Sequence, residues 1–250
     1  MFEPPAPLLA LFSDFGAGGP YVGQVMAVWA AAAPEIPRVE LFSSAPAYDV
    51  EAGAHLLFAY SRGLPEGSVV EAVVDPGVGG PRPVVVARAD GVWFCGPDNG
   101  LLGVVASRAQ SCAAWRVEWR PEILSQTFHG RDLFGPIAAH IAVHGSPPRP
   151  SAATDPQRLI GEIADPADRV ILVDGFGNLI TGIPAASVEF RDKVAIGGAC
   201  LGFAPRFGEC AAGAAFWYEN SNGLIEIAVN RGSAAEHFGA TVGAPVRVIT

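Results

Sequence analysis

Asp75 and Arg82 bracket a glycine-rich loop in the stretch VVDPGVGGPR, residues 73–82. A carboxylate at a strand end with an arginine seven residues later makes either an ion pair across a turn or half of an active site. Other stretches carry groups suited to ligand binding and proton transfer. Asp14 closes the apolar run PLLALFSDFG. A carboxylate there accepts two hydroxyl hydrogen bonds, as from a ribose, or caps the helix that follows. His129 lies in TFHGRD. Its imidazole, with an ordinary pKa of about 6.5, suits acid–base work, and the same histidine at a helix start can simply bond the backbone. Arg131 and Asp132 beside it suit a first-turn ion pair. In DGFGNLITG, Asp174, Phe176 and Asn178 share one tight turn. An Asn amide matches an adenine edge and a Phe stacks on a base, while Gly and Asn are also what hairpin turns require. NSNGLIEIAVNRG sets Ser221 and Asn222 before a strand that ends at Asn230, with the same ambiguity.

Some chemistries are set aside. GxGxxG and GxxxxGK[ST] are missing, so dinucleotide and nucleoside-triphosphate fingerprints are not present. His140 and His144 have a two-ligand helical spacing, but no HExxH pattern and no third ligand accompany them, and no metal is expected.

The elements that must hold these residues follow from hydrophobic patterning. PLLALFS predicts a strand, a glycine loop follows, and a helix runs from about Tyr21 to Ala33. RVELFSS reads as a strand and YDVEAGAHLLFAYSRGL as a helix. GSVVEAVVD and PRPVVVARAD are strands flanking the 73–82 loop, and VWFCGPDNG is a strand and turn. FHGRDLFGPIAAHIAVHG begins as a loop and becomes a helix. Alternating strands and helices predict an α/β domain with a central, largely parallel sheet over residues 1–165. GSPPRPSAATDPQRL reads as a linker or surface excursion. From about Asp168 the helical period disappears and short β runs separated by Gly, Asn and Pro predict a small all-β barrel or sandwich over residues 166–250.

Composition narrows the class. The chain has 250 residues and a formal charge of −9, which argues against a nucleic-acid binder and suits an enzyme of small molecules. Lys193 is the only lysine, so the cations are almost all Arg. Cys95, Cys112, Cys200 and Cys210 form no CxxC pair and read as reduced, buried thiols. MFEPPAPLLALF has Glu3 and prolines where a signal peptide has basic residues, and VGQVMAVWAAAA is too short to span a bilayer. No membrane partner and a cytoplasmic location are the expectation.

Six segments in order resemble the S-adenosylmethionine hydroxide adenosyltransferases, or S-adenosylmethionine hydrolases, a family related to fluorinating and chlorinating enzymes. They are SDFGAGGPYVG, VVDPGVGGPR, GPDNGLL, TFHGRDLFGPIAAH, DGFGNLITGI and SNGLIEIAVNRGSAA, spanning residues 13 to about 235. The resemblance implies hydrolysis of S-adenosylmethionine to adenosine and methionine, with no cofactor. It puts the family's water-activating Asp, Arg and His on Asp75, Arg82 and His129. Ribose contacts fall on Asp14 and adenine contacts on Phe176, Asn178 and the strand after Ser221. The methionine end falls near Asp174 and Ser221, Glu226 and Val229 lie close to the adenosine, and Tyr48 sits where a relative's ring covers the ligand. It also implies an N-terminal α/β domain, a C-terminal β-barrel-like domain, and a homotrimer with sites at subunit interfaces. The chain departs from the family pattern at Gly19, where a second Asp is usual and contacts the methionine ammonium in the halogenating relatives. It also departs at PRP, which keeps only Arg82 of an arginine pair, and at Gly182, where an Asn is frequent. Halide attack at the same carbon and an adenosine-binding module without turnover are the rival readings.

Overall fold

The computed structural model describes residues 6–250, so the expectation about the N-terminal signal falls partly outside the described residues. The chain divides into two compact units, one ending at Ile163 and the other spanning Ala164–Thr250.

The first unit is built on a seven-stranded sheet. Strands β1 (Leu9–Ser13), β2 (Arg38–Phe42), β3 (Val69–Val73), β4 (Val84–Ala89), β5 (Val92–Pro97), β6 (Cys112–Val117) and β7 (Ser151–Thr154) lie in the order β2-β1-β3-β5-β4-β6-β7. β1 and β3 are buried at every residue, because helices cover both faces of the sheet. On one side, Leu9, Leu11, Val69, Val73 and Cys95 pack against helix α1 (Pro20–Ala32) and helix α4 (Gly135–His144). The other face meets α2 (Val50–Ser61), where Gly53 lets the helix close to Val74 and Leu101. α2 is started by Asp49, whose side chain accepts from Ala52 N at 2.9 Å, and α4 is stopped by Gly145 in the left-handed region. A short helix, α3 (Gly103–Arg108), completes the set.

The sheet is mixed where the sequence predicts a largely parallel one. β2, β1, β3 and β5 run parallel, but β4 is antiparallel to both β5 and β6, and β6 to β7. The cause is local. Asp90 and Gly91 both take positive φ, 46° and 87°, and turn β4 straight back into β5 as a hairpin. The proline-rich stretch after α4, predicted as a linker, contains β7, which pairs with β6 at the sheet edge. An edge strand tolerates prolines at its start because its outer side needs no ladder donors.

The second unit holds antiparallel strands only. β8 (Ala167–Val173), β9 (Leu179–Pro184), β12 (Ala215–Glu219) and β13 (Leu224–Val229) form a sheet in the order β12-β13-β9-β8. β10 (Lys193–Ile196), β11 (Ala199–Leu201) and β14 (Arg247–Ile249) form the other. Single bridges, Arg169 to Pro245 and Phe203 to Trp217, link their edges, but no ladder among the described residues closes the sheets into the expected barrel. Val170, Leu179, Val194, Trp217 and Ile227 fill the core between them. A one-turn helix, α5 (Ala234–Phe238), begins at Ser233, whose hydroxyl accepts from Glu236 N at 3.1 Å. Of the four free cysteines, predicted as buried, Cys95 alone is buried and Cys200 is exposed.

Glu71, in the middle of β3, is fully buried with neither carboxyl oxygen hydrogen-bonded. Burial pushes its pKa well above the usual 4.5, with the Trp29 indole N–H opposing, so it folds uncharged. An unfolded chain releases that proton first as pH rises. The stability is therefore complete below the ordinary Glu value and is lost as pH climbs toward the raised one. Glu71→Gln should melt above the parent at about pH 8, with the gap closing toward about pH 4. A constant gap across thermal melts would contradict this.

Candidate active site

The strand order makes a crevice. The chain leaves β1 for β2 on one side and returns to β3 on the other, so the carboxyl ends of β1 and β3 form a switch point where α/β sheets bind ligands. Their register pairs Ser13 with Val73, and Asp14 N donates to Val73 O at 3.3 Å. Asp14 and Asp75 therefore leave neighbouring strands at one edge. Asp14 Oδ2 accepts from Tyr48 N at 3.0 Å, which holds Tyr48 at φ 65° with its side chain 76% exposed. Burial raises the Asp14 pKa, the Tyr48 N–H opposes, and the Asp75 charge adds a smaller push upward.

Asp75 and Arg82 form the ion pair that their spacing allowed. Arg82 Nε lies 3.0 and 2.9 Å from the two carboxylate oxygens, and Nη2 also donates to Oδ2. The side chains are only 4% and 12% exposed, so this is a buried clasp and not a surface pair. The guanidinium also stacks over Phe134, 5.5 Å from the ring centre. Within the loop, Val78 N and Gly80 N return to the carbonyls of Asp75 and Gly77. Gly79, at φ 81°, passes so close to the Gln126 carbonyl that an added Cβ would sit 2.4 Å from it.

His129 is 5% exposed, and neither ring nitrogen has a hydrogen-bond partner among the described residues. Burial lowers its pKa below 6.5, the Arg82 guanidinium lowers it further, and Asp75 opposes. The histidine stands just before a π-helical turn, Gly130–Phe134, which leads into α4. Gly130 is needed there because a Cβ would come within 2.7 Å of the Phe15 ring. Arg131 and Asp132 do make the expected ion pair, at 2.6 Å, and Arg131 also reaches Gln24. Asp14, Val73, Asp75, Thr127 and His129 line one small cavity of about 80 Å³. Gly19 is the N-cap of α1 and gives that helix no side-chain cap.

The second unit has its own, larger cavity of about 880 Å³. Asp174, Phe176, Asn178, Ser221, Glu226 and Val229 all line it. The 174–178 turn is tied by Asp174, whose Oδ1 accepts from Phe176 N and Asn178 N, and whose Oδ2 accepts from Asn178 Nδ2 at 2.9 Å. Phe176 stands 83% exposed at its tip while Asn178 is buried. Gly177 packs on Ser233, with no room for a Cβ. Glu226 is not a free carboxylate: Tyr218 OH donates to Oε1 and Asn220 Nδ2 to Oε2 at 3.0 Å. Burial and Glu226 together raise the Tyr218 pKa. Tyr218, Asn220, Phe207 and Arg231 also line this cavity and were missed in the sequence. For Tyr218 the signal lies in the strand pairing. A three-residue loop of Ser221, Asn222 and Gly223 between Asn220 and Leu224 sets Tyr218 directly across from Glu226, as the β12–β13 register does.

The chain is thus an α/β unit with a cavity at its switch point, followed by an antiparallel β unit with a cavity of its own. The chain belongs to the SAM hydroxide adenosyltransferase family, whose N-terminal domain matches residues 9–149 and whose C-terminal domain matches residues 168–247. It is similar to an (R)-S-adenosyl-L-methionine hydrolase of Thermus thermophilus, 40% identical, with 95% of this chain and 97% of that protein covered. A protein of the same description from Salinispora tropica is 31% identical, with 98% of each covered. A fluorinase of Nocardia brasiliensis is 25% identical, with 97% and 96% covered. Among solved structures, an uncharacterized conserved protein from Thermotoga maritima superposes with a TM-score of 0.86 at 28% identity, covering 97% of this chain and all of that one.

Gly79→Ala should strain the 75–82 loop and push it from Gln126, lowering unfolding free energy by about 1–3 kcal/mol. Gly23→Ala, on α1 with open space at its Cβ, should be neutral or stabilising by up to about 1 kcal/mol. Denaturant melts of the two variants give the comparison, and equal effects would show that the Gly79 contact carries no strain.

Proposed function

We propose that the protein hydrolyses S-adenosyl-L-methionine to adenosine and methionine, with water attacking C5′. The observation that carries this reading is the buried His129 imidazole, with both nitrogens unpartnered, lining one cavity with Asp14 and Asp75. The hydrolases named above support the substrate.

The sulfonium of the substrate leaves as a neutral thioether without protonation, so the reaction as written needs neither metal nor cofactor. Water oxygen bonds to C5′, the C5′–S pair goes to sulfur, and one proton must be removed. Bulk water has a pKa of about 15.7, far above that of an imidazole, so His129 accepts the proton as the C–O bond forms. Its depressed pKa keeps it neutral and ready at pH 7. Arg82, locked to Asp75, fixes the carboxylate that orients water or imidazole. A dry site further favours a hydroxide-like nucleophile meeting a sulfonium, since opposite charges cancel. Orientation alone supplies up to about 7–11 kcal/mol for well-placed reactants.

Binding is divided between the units. Asp14 offers its carboxylate to ribose hydroxyls, and the exposed Tyr48 ring covers the ligand beside it. In the larger cavity Phe176 stacks on adenine. Asn178, with its NH₂ engaged by Asp174, presents Oδ1 to the exocyclic amine. Asp174 and Ser221 border the methionine end, and Val229 lies along the adenosine. Glu226 holds Tyr218 and Asn220 in the wall and makes no contact of its own through its carboxylate. In this reading the protein is a homotrimer that completes each site across a subunit interface, and sedimentation equilibrium should return the mass of three chains.

One chromatographed reaction tests the activity. S-adenosylmethionine should give adenosine and methionine in equal amounts, with chloride added or not. Chlorodeoxyadenosine would assign the halide chemistry instead, and bound adenosine with no methionine released would assign a binding module. His129→Ala should lower kcat by about 10²–10⁴-fold with little change in substrate affinity. The parent kcat/KM should fall with acid along a limb whose midpoint lies below 6.5, as His129 gains its proton. A parental rate in His129→Ala would remove the base role.

A further inference from the structure

Glu71 is a buried ionisable group that the reaction above does not use. It lies across from Leu11 on β1 and from Cys95 on β5, fully buried, with the Trp29 indole N–H facing its carboxyl group but no well-formed hydrogen bond to either oxygen. A hydrocarbon of similar size would be the more stable choice in such a place. Its neighbour in the fold is the segment that carries His129. A Cβ added to Gly135 would stand 3.4 Å from Glu71 Oε2 and 3.1 Å from the Gly130 carbonyl oxygen, so carboxyl and carbonyl border the same space. Two other core groups grip that turn: Trp29 Nε1 donates to Gly135 O at 3.2 Å, and Cys95 Sγ lies 3.9 Å from Phe134 O. Gly135 N donates back to Gly130 O, closing the π-turn that starts one residue after His129. Pro136 has no N–H to carry regular helical bonding back into the turn, so its shape depends on what it sits against.

We propose that Glu71 is a positioning residue for His129, its carboxyl group seating the Gly130–Gly135 turn through the space left open at Gly135. This rests on His129 being the base of the proposed reaction. Glu71 touches no substrate and acts through the turn. Ionising it would put an unpaired anion under the turn, so turnover acquires an alkaline limb that belongs to Glu71. Few other groups on the packed elements compete for that limb. β1 has none and α1 has only Tyr21. β5 contributes Cys95, its thiol pushed up by burial and by Glu71. The turn and α4 carry Arg131 and Asp132, which pair together, and His140 and His144, which face each other at 4.4 Å.

The test compares the parent with Glu71→Gln, Glu71→Leu and Cys95→Ala. Each is followed by kcat, KM, melting temperature, and the titration of the His129 ring by NMR without substrate. Glu71→Gln should keep kcat within about twofold and lose the alkaline limb, while Cys95→Ala keeps that limb. Glu71→Leu should melt at or above the parent, keep KM, lose about tenfold or more in kcat, and move the His129 titration. A Glu71→Leu protein with parental kcat and parental His129 titration overturns the proposal. If that variant does not fold, an alkaline limb persisting in Glu71→Gln overturns it instead. Absence of any turnover in the parent would reject the hydrolase reading alone, and the His129 titration would still decide the role of Glu71.

Discussion

The register of β1 on β3 is the constraint from which the N-terminal site follows. Pairing Ser13 with Val73 brings Asp14 and Asp75 out of adjacent parallel strands at the same edge. Slipping the pairing by one residue would exchange the two faces of the strand, putting Leu9 and Leu11 where Ala10 and Phe12 now pack. The burial of every residue in both strands makes such a slip expensive, so the position of two carboxylates is secured by the packing of the strands that lead to them.

Within that frame the polar groups divide into satisfied and unsatisfied ones. Asp75 is engaged by Arg82, and Asp174 by its own turn. Glu226 is held by Tyr218 and Asn220. His129 stands apart from these, buried and unbonded beside a cavity. Buried polar atoms are normally paired, so an unpaired imidazole at a strand-end crevice is a departure from the rule. Glycines at 79, 130 and 177 make the close approaches possible, each at a point where a Cβ would collide with a neighbouring group.

Much of this was legible in the sequence, and the failures have identifiable causes. Asp14 and Asp75 were singled out at strand ends, Arg82 by its spacing from Asp75 and His129 at a loop-to-helix junction, and the structure brings three of them to one cavity with Arg82 bound behind Asp75. The sheet's mixed direction was missed although ADGV carries a strong hairpin signal, because two strands flanking a glycine loop were read as a continuing α/β alternation. β6 went unread since its alanines have little β preference of their own and depend on β4 for their place. Tyr218 comes into view only once strand pairing sets it against Glu226, and Asn220 only through its hydrogen bond to that carboxylate. Glu71 gave the opposite signal: a charge inside VVEAVV suggests exposure, whereas the two-sided burial of β3 encloses it and pushes its pKa upward.

The near-exclusive use of arginine for positive charge acquires a meaning at the switch point. The guanidinium of Arg82 contributes to the field that keeps His129 unprotonated. An ammonium in that environment would lose its proton as the medium became alkaline, and the field would drift with pH. A guanidinium holds its charge over the whole range in which proteins stay folded. The share of the imidazole's electrical background that Arg82 supplies is thus a fixed property of the scaffold, as constant as the spacing of the strands that hold it.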